Sequence, residues 1–255
     1  MSSLTLQERV AFVQDIELQH PVSVASAHTH GTVAADGSAA VVAGSIVSFV
    51  GNIENQMKAS FRLSLSDVLN STLFAQLSAN KMADPHNDRI SWFGHFKSVL
   101  ENLGWVVPAW NDEDFHDANS IGSVDQLILR LAQDYLSAGE FALFQTVIDS
   151  LKEAKNDSAL KLFDSSSKES NKANFRAGVV SDAQSNAMFK IWEYSYHVSQ
   201  DIDNVLFFDF GSQRASFKAG NCTLILDEDV YTQVRGLVLE KLGENARNLI
   251  KTIEI

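Results

Sequence analysis

Residues 174–198 read NFRAGVVSDAQSNAMFKIWEYSYHV, and this stretch decides the fold class. We predict one strand over 174–181 and a second over 187–198, because both runs are rich in β-branched and aromatic residues and the turn-forming letters DAQSN separate them. The connection is far too short to hold a crossover helix, so the two strands must run antiparallel. An antiparallel hairpin is therefore the starting point for the C-terminal part of the chain.

The residues that follow continue the same pattern. Runs over 204–210, 214–218 and 222–226 are again typical of strands, and short turn-rich segments join them. Together the five runs predict an antiparallel meander rather than a parallel sheet. Asp227, Glu228 and Asp229 then place three acids where the positive end of a helix dipole would lie, so we predict a final long helix after the sheet.

The residues before this hairpin follow helical spacing. Apolar positions recur every three or four residues as far as the polar, serine-rich segment DSSSKESNKAN, which begins at Asp164. Ser123 and Gln126 have the spacing of a capping box at the start of one of these helices. Residues 112–117 are strongly acidic, and we predict a solvated loop there, since the spacing of the acids differs from that of a calcium-binding loop.

These patterns predict an α+β protein, in which a helical N-terminal two thirds packs with a C-terminal antiparallel β-meander and a final long helix. A meander of about five strands has an apolar face that something must cover, and the long helices can supply that cover. We therefore expect residues 1–255 to form a single co-folded domain. The alternative is a division at the serine-rich segment into a helical part, 1–163, and a sheet with a helix, 172–255.

The charge balance limits the kinds of partner. The 255 residues hold 32 acids and 20 bases, a formal net charge of −12. A nucleic-acid partner is not expected, because such binding rests largely on Lys and Arg at the phosphates. The first residues lack the basic start and the continuous apolar run of a signal peptide. We expect a soluble protein, either cytoplasmic or exported without a conventional signal peptide, and self-association is left open.

One segment stands apart from this acidic background. Residues 21–53 contain a single charged residue, Asp36. Apolar positions with helical spacing predict a helix over about 39–60; they include Val42, Ile46, Phe49, Val50 and Ile53. The uncharged part of this helix, 39–53, is shorter than the roughly 20 residues needed to span a bilayer. It is either a central helix of the core or a concealed segment that a membrane-active protein exposes.

The single thiol, Cys222, follows a Gly-Asn pair at the head of a predicted strand. A thiolate activated by an imidazole attacks acyl carbonyls, and His197 is the nearest histidine in the sequence. Cys222 and His197 are therefore the candidate catalytic pair of an acyl hydrolase or acyltransferase, and Cys222 could equally carry an acyl group. The structural alternative is a buried Cys in the core, which is the commoner situation.

His28 and His30 lie two positions apart, hence on one face of a strand if the segment is extended. Such a pair holds zinc or another transition metal when further ligands converge on it, for which His86, His95, His116 or an acid are the candidates. The full spacing of a zinc motif is absent, so the preferred interpretation is a pair of exposed histidines and no cofactor is predicted. Nucleotide-binding, zinc-protease and serine-hydrolase motifs are absent as well.

Aromatic residues concentrate in two places. Residues 92–110 hold three tryptophans and two phenylalanines, and the helical spacing of the first members indicates a core-facing stripe. Trp192, Tyr194 and Tyr196 alternate along a predicted strand and so lie on one of its faces. We expect helices to cover this face of the sheet.

Three blocks of the sequence resemble an uncharacterised family of bacterial and fungal proteins of about this length. They are DVLNSTLFAQLSANK at 67–81, WFGHFKSVLENLGWVVPAW at 92–110 and NVLFFDF at 204–210. The resemblance covers most of the chain. Because no activity, cofactor or catalytic residue is known for that family, the resemblance implies only a single domain.

The function that these features favour is that of a lipid- or membrane-interacting protein of the effector, virulence-factor or toxin kind, without catalytic activity. It would enclose an apolar cavity or hide the apolar helix predicted over 39–60. A Cys-dependent acyl hydrolase or acyltransferase is one alternative, and a protein-interaction module is the other. Liposome binding favours the first interpretation, native reactivity of Cys222 favours the second, and failure of both leaves the third.

Overall fold

The computed structural model of the protein describes residues 5–19, 39–50, 65–108, 110–115, 122–183, 186–211 and 215–255. Within these ranges nine strands form one mixed sheet, and helices pack on it. The predicted α+β class is confirmed. The arrangement of the elements along the chain differs from the prediction, because strands occur near both ends of the described chain as well as in the middle.

Seven α-helices lie within the described ranges. At Thr5 and Ser137 the hydroxyl and a glutamate three residues later form reciprocal capping boxes. The capping box predicted at Ser123 does not form, since that hydroxyl donates to Asp125 instead. No helix of the described ranges combines the length and the apolar character needed to cross a bilayer. The helices are α1 (Leu6–Asp15), α2 (Leu65–Met82), α3 (Arg89–Asn102), α4 (Val124–Gln133), α5 (Ala138–Ser150), α6 (Asp157–Ser167) and α7 (Glu228–Arg247).

The strands are β1 (Ala39–Val42), β2 (Ser45–Phe49), β3 (Trp105–Val106), β4 (Asn111–Phe115), β5 (Lys168–Glu169), β6 (Lys172–Ala183), β7 (Asn186–His197), β8 (Ser216–Leu226) and β9 (Ile250–Ile253). Their order across the sheet is β3-β8-β7-β6-β2-β1-β9, with β4 also paired to β8 and β5 to β6. Every pair is antiparallel except β2 with β6. The three long strands β6, β7 and β8 are the centre of the sheet and form the predicted antiparallel meander.

Three of the predicted strands are wrong in their bounds or their nature. Residues 204–210 are irregular, with a turn at 206 and 207, and only Asp209 makes an isolated bridge, to Ser123. The described parts of the runs 214–218 and 222–226 belong to the single strand β8, because Gly220 and Asn221 continue the ladder opposite β7. Taken alone, a Gly-Asn pair indicates a turn. Here Gly220 and Asn221 stay extended because β7 pairs with them on one side and β4 on the other.

The helix predicted over 39–60 is wrong in its described part. Residues 39–49 form a β-hairpin, β1 and β2, with the turn at Ala43 and Gly44. All nine strand residues are buried, so the hairpin has no polar face and its sequence lacks the alternation that marks a half-exposed strand. Its apolar positions satisfied helical spacing by coincidence, as short apolar runs often do.

The final long helix is present but is not the last element. Asp227 Oδ1 accepts a hydrogen bond from the Val230 amide at 3.1 Å, which caps α7 where the acids predicted a helix start. Helical geometry breaks at Gly243, whose φ of 57° lies in the left-handed region. The chain then returns to the sheet as β9, which pairs with β1.

Two polar segments have regular structure: the acidic segment, which was predicted to be a solvated loop, and the serine-rich segment, which was considered as a boundary between two parts of the chain. Residues 112–115 of the predicted acidic loop lie in β4, which pairs with β8, and residues 116 and 117 lie outside the described residues. The serine-rich segment begins as the last turn of α6, where Ser165 Oγ donates to the Leu162 carbonyl at 3.0 Å. The chain passes from α6 directly into β5, so this segment is not an extended linker.

The aromatic face of the central strands is covered as predicted. The Trp192 ring lies 5.2 Å from the Tyr135 ring and 6.2 Å from the Phe144 ring. Tyr194 and Tyr196 on the same face of β7 are also buried. Helices α5 and α6 and the connection before α5 therefore pack on this face, while α2 and α3 pack on the opposite face.

Candidate functional site

The face of the central strands that α2 and α3 cover is polar at one end. Directly paired residues of an antiparallel ladder lie on the same face. Three cross-strand rows therefore share this face: Lys172, His197 and Ser216 in the outermost row, Asn174, Ser195 and Lys218 in the next, and Arg176, Glu193 and Gly220 in the third. Beyond Gly220 the face becomes apolar, with Gly178 and Ile191 in the following row.

Arg176 is the most buried base of this face, with 3% of its surface exposed. Its Nη1 donates to Asn174 Oδ1 at 2.9 Å, and its Nη2 donates to Gln76 Oε1, also at 2.9 Å. The guanidinium carbon lies 4.4 Å from the centroid of the Trp92 ring. Burial lowers the pKa of Arg176 to about 10. The buried cation therefore has neutral hydrogen-bond partners and lies against an aromatic face, with Glu193 as its charged neighbour across the ladder.

The same guanidinium holds the turn of the hairpin. Arg176 Nη2 donates to the Gly44 carbonyl at 3.3 Å, and Nε donates to Ser45 Oγ at 3.2 Å. Gln76 belongs to helix α2, and its Nε2 donates to the carbonyl of Val42, on the neighbouring strand β1, at 3.1 Å. A Cβ at Gly44 would lie 2.9 Å from Arg176 Nη2 and 3.0 Å from the Ser166 carbonyl oxygen, so a larger residue at this turn would force the guanidinium to shift. We call these contacts of Arg176 and Gln76 with the hairpin the turn clamp.

Glu193 is the acid of the third row and is fully buried. Its Oε1 accepts from Asn174 Nδ2 at 3.0 Å, and its Oε2 lies 2.8 Å from Arg89 Nη2. Burial raises the pKa of Glu193 despite these partners. A folded-state pKa above the ordinary value means that the folded protein binds this proton more readily than the unfolded chain does. The stability contributed by Glu193 therefore increases as pH falls through its pKa, and acid does not loosen the site through this carboxyl.

The residues predicted to contact lipid lie in and beside the hairpin. Val42, Ile46 and Phe49 are buried, with exposures of 0%, 0% and 3%. Val50 is half-buried against the same core. Ile53 lies outside the described residues. The structure thus gathers the described members of this set into one concealed apolar unit, although as strands rather than as a helix.

Cys222 and His197 are not brought together. They lie on the same face of the sheet, but Cys222 pairs with Ile191 and His197 pairs with Ser216. Six residues along a strand amount to about 20 Å. His197 instead accepts a hydrogen bond at Nε2 from Asn171 Nδ2 at 2.8 Å. The geometry of a thiol-imidazole pair is therefore absent.

The surroundings of Cys222 also disfavour a thiolate. The residue is 2% exposed, and its Sγ lies 3.9 Å from the Pro108 carbonyl oxygen. Burial raises the pKa of the Cys222 thiol to about 11, so the reactive thiolate is a very small fraction at neutral pH.

We therefore expect native Cys222 to react with iodoacetamide at pH 7.5 at least a hundredfold more slowly than the same thiol in urea-unfolded protein. Loss of the thiolate through the raised pKa and loss of access through burial both act in this direction. Mass spectrometry of timed samples measures the labelled fraction. Comparable native and unfolded rates would restore the thiol as a candidate nucleophile.

The predicted histidine pair lies elsewhere. His28 and His30, like the candidate third ligand His116, lie outside the described residues. Within the described ranges no three His, Cys, Asp or Glu side chains lie close enough to hold a metal ion.

The polar face carries a sequence signal that was overlooked. Polar residues alternate at every second position at one end of each central strand: Lys172, Asn174 and Arg176, then Glu193, Ser195 and His197, then Ser216 and Lys218. Alternation of this kind, repeated in neighbouring antiparallel strands, indicates one shared polar patch. What the sequence could not supply is the strand register that brings the three sets into line.

Comparison with known proteins finds no matching protein-family model and no matching curated protein. The solved structures that are similar in fold comparison include the following three. A delta-endotoxin is 13% identical and is matched over 82% of this chain and 91% of its own length, with a TM-score of 0.36. The activated Cyt2Ba monomer from Bacillus thuringiensis subsp. israelensis is 11% identical over 71% of this chain and 96% of its own, with a TM-score of 0.37. The Evf virulence factor is 10% identical over 82% of this chain and 84% of its own, with a TM-score of 0.36.

Proposed function

We propose that the protein is a non-enzymatic effector or toxin that acts on a lipid or membrane surface by releasing the hairpin of β1 and β2. The observation that carries this proposal is the hairpin itself, whose nine strand residues are uncharged and buried. It belongs to a stretch, 21–53, with one charged residue in a chain of net charge −12. An acidic exterior around an uncharged segment suits a molecule that stays in water until it meets an apolar phase.

The position of the hairpin in the sheet supports its release. On one side, β1 is bordered only by the four residues of β9. On the other side, β2 meets the central strands through five parallel residue pairs with β6. The hairpin can therefore leave without breaking the longer ladders that join β6, β7 and β8.

The energetics depend on where the hairpin goes. Exposing its apolar side chains to water costs about 25 cal/mol for each Å², whereas lipid tails restore the apolar contacts. The unpaired N–H and C=O groups of its outer edges still need partners in a bilayer. The released hairpin would accordingly lie at the lipid-water boundary or pair with further copies of the chain, which is the form of self-association that this proposal predicts.

A disulfide between β2 and β6 tests the proposal. Ser48 and Val179 are register partners and both are buried. Neighbouring strands lie about 4.8 Å apart, within the roughly 4.4–6.8 Å that a disulfide accepts between Cα atoms. We expect Ser48→Cys/Val179→Cys, made in a Cys222→Ser background, to release dye from phosphatidylglycerol and phosphatidylcholine vesicles when reduced and to lose at least nine tenths of that release when oxidised.

The matched control is Met188→Cys/Ile225→Cys in the same background, which joins β7 to β8 at another register pair and leaves the hairpin alone. This variant should release dye equally in both redox states. Two results would contradict the proposal. The first is that oxidised Ser48→Cys/Val179→Cys releases as much dye as its reduced form. The second is that the unmodified protein neither binds vesicles nor releases dye at neutral or acidic pH. The second result would leave the protein-interaction module as the surviving interpretation.

A further inference from the structure

The α2–α3 connection, residues 83–88, lies over the polar end of the sheet. A pocket of about 230 Å³ opens between this connection and the ends of β6, β7 and β8. Pro85 and His86 line the pocket from the connection, and Lys172 lines it from β6. Lys172 Nζ also donates to the Asn87 side chain, so the connection is tied to β6. The connection therefore rests on the sheet beside a small space that water can enter.

His86 is a half-buried imidazole in this connection, and its Nδ1 atom is buried. Nδ1 has no hydrogen-bond partner among the described residues. A neutral imidazole has one nitrogen without a proton, and Nδ1 suits that role because it has no acceptor for a proton. Protonation of the ring would add a positive charge and make Nδ1 a buried donor with nothing to accept from it. The folded connection therefore accommodates the neutral ring and disfavours the charged one.

The carboxylate of the connection is engaged in shaping its backbone. Asp84 Oδ1 accepts from the amide of His86 at 2.7 Å and from the amide of Asn87 at 3.1 Å. Asp84 Oδ2 accepts from Asn87 Nδ2 at 2.7 Å. Asp84 therefore fixes the backbone at His86 but does not provide the ring nitrogen Nδ1 with an acceptor.

The charged groups around this pocket include both signs. They are Asp84 in the connection, Glu169 and its ladder partner Lys172, Asp114 and its ladder partner Lys218, Glu193 and Arg89, which lie 2.8 Å apart, Arg176, and the second imidazole, His197. Asp84 and Glu169 favour a charged His86 ring, whereas Arg176 and Lys172 oppose it. Burial is the largest influence, and it lowers the pKa of His86.

The connection joins the two helices that hold Arg176 in place. On α2, Gln76 accepts from Arg176 Nη2 and donates to the Val42 carbonyl of the hairpin. On α3, the Trp92 ring covers the Arg176 guanidinium at 4.4 Å. A connection that lifts from the sheet therefore removes support from both sides of Arg176. The turn clamp would then hold the hairpin of β1 and β2 less firmly.

We propose that His86 is an acid-sensitive latch, whose protonation lifts the α2–α3 connection from the sheet and frees the hairpin. The latch rests on the proposed function, because it names the condition under which the hairpin is released. A folded-state pKa below the ordinary value means that the unfolded chain binds this proton more readily than the folded protein does. The stability contributed by neutral His86 is therefore present above the ordinary value of 6.5 and is lost as pH falls from there through the folded-state pKa. This direction is opposite to that of Glu193.

Hydrogen exchange followed by mass spectrometry tests the latch without a membrane. Protection is compared at pH 7.5 and pH 5.5, after correction for the pH dependence of the intrinsic exchange rate. In the unmodified chain, the amides of residues 39–50 and 83–88 should lose at least tenfold in protection at the lower pH. His86→Gln stays neutral and should lose less than twofold. His95→Gln is the control and should behave as the unmodified chain does, because it changes a half-buried histidine of α3 that lies outside the pocket lining.

Dye release from phosphatidylglycerol and phosphatidylcholine vesicles separates the latch from the proposed function. The unmodified chain should release dye at least fivefold faster at pH 5.5 than at pH 7.5, and His86→Gln should remove this difference. Equal release at both pH values overturns the latch and leaves hairpin release standing. No release at either pH, with protection that still depends on His86, overturns the proposed function instead.

Two results of the exchange measurement overturn the latch. The first is equal protection of residues 39–50 at both pH values in the unmodified chain. The second is a folded His86→Gln variant that loses as much protection as the unmodified chain. If His86→Gln does not fold, NMR titration of the His86 ring in the unmodified chain decides. A midpoint at or above the ordinary value of 6.5 overturns the latch, and a lower midpoint together with the loss of protection supports it.

Discussion

Replacing Arg176 by methionine is expected to lower the free energy of unfolding by about 3 kcal/mol. The substitution keeps an apolar stem against the Trp92 ring but removes every donor from a site that is 3% exposed. The carbonyl of Gly44 and the side-chain oxygens of Asn174 and Gln76 would then be buried with fewer partners. For a chain of this size, the corresponding fall in melting temperature is roughly 6–12 °C.

The control for charge and side-chain size is Arg130→Met, because Arg130 is exposed on α4. It should change the free energy of unfolding by less than about 0.5 kcal/mol. Urea titration followed by circular dichroism measures both variants. If the free energies of unfolding of Arg176→Met and Arg130→Met agree within experimental error, the turn clamp contributes nothing to stability.

The same substitution links stability to the proposed release. The turn clamp ties the hairpin to α2 and β6, so a weakened clamp should let the hairpin leave more readily. Arg176→Met should therefore release vesicle dye faster than the unmodified protein, at a temperature where both are folded. In the oxidised Ser48→Cys/Val179→Cys background the acceleration should disappear. Faster release that persists in that background would indicate general unfolding rather than release of the hairpin.

Gly178→Ala is expected to destabilise the fold by about 3 kcal/mol or more. A Cβ at this position would lie 2.4 Å from the Lys190 carbonyl oxygen and 2.6 Å from Phe189 Cε2. The first contact is with backbone of the neighbouring strand, so no side-chain rotation relieves it. The strain falls at the centre of the sheet, between β6 and β7.

Gly236→Ala is the matched control, since it makes the same chemical change in the middle of α7, where a Cβ meets nothing within 4 Å. A glycine inside a helix costs about 1 kcal/mol relative to alanine, so this variant should be more stable than the parent. The two substitutions should thus shift the urea midpoint in opposite directions. A Gly178→Ala variant as stable as the parent would show that β6 and β7 can separate without cost.

The central sheet could be predicted because its sequence agrees with its structure at each level. Trp192, Tyr194 and Tyr196 alternate with other residues along β7 and carry high strand propensity, and the turn before them is rich in polar residues. The amphipathic helices α2 to α5 were recognisable for a similar reason, since each has one apolar stripe.

The hairpin could not be predicted from local pattern. Strands buried on both faces show no alternation, so Ile46 and Phe49 fit a helical stripe as well as a strand. What decides between the two is long-range pairing, with β6 on one side and β9 on the other. Neither partner is near in sequence, and one of them follows a helix that seemed to be the last element.

The sequence shows the residue types of the candidate site, but it does not show that these residues lie together. Lys172, His197 and Lys218 are ordinary charged positions in the sequence, and the register of three strands makes them neighbours. Cys222 and His197 attracted attention because their chemistry is recognisable, yet the same register separates them along the strands. The residue types suggested which chemistry to look for, whereas strand pairing determined which of these residues lie close enough to act together.

The late position of β9 also has a consequence for synthesis on the ribosome. The hairpin AAVVAGSIVSF emerges early, whereas β6 and β9, which pair with its two edges, are translated much later. Until then it presents unpaired edges and an uncharged surface, the combination that favours aggregation between nascent chains. Of the described elements, the hairpin is therefore the one for which protection by a chaperone during translation matters most.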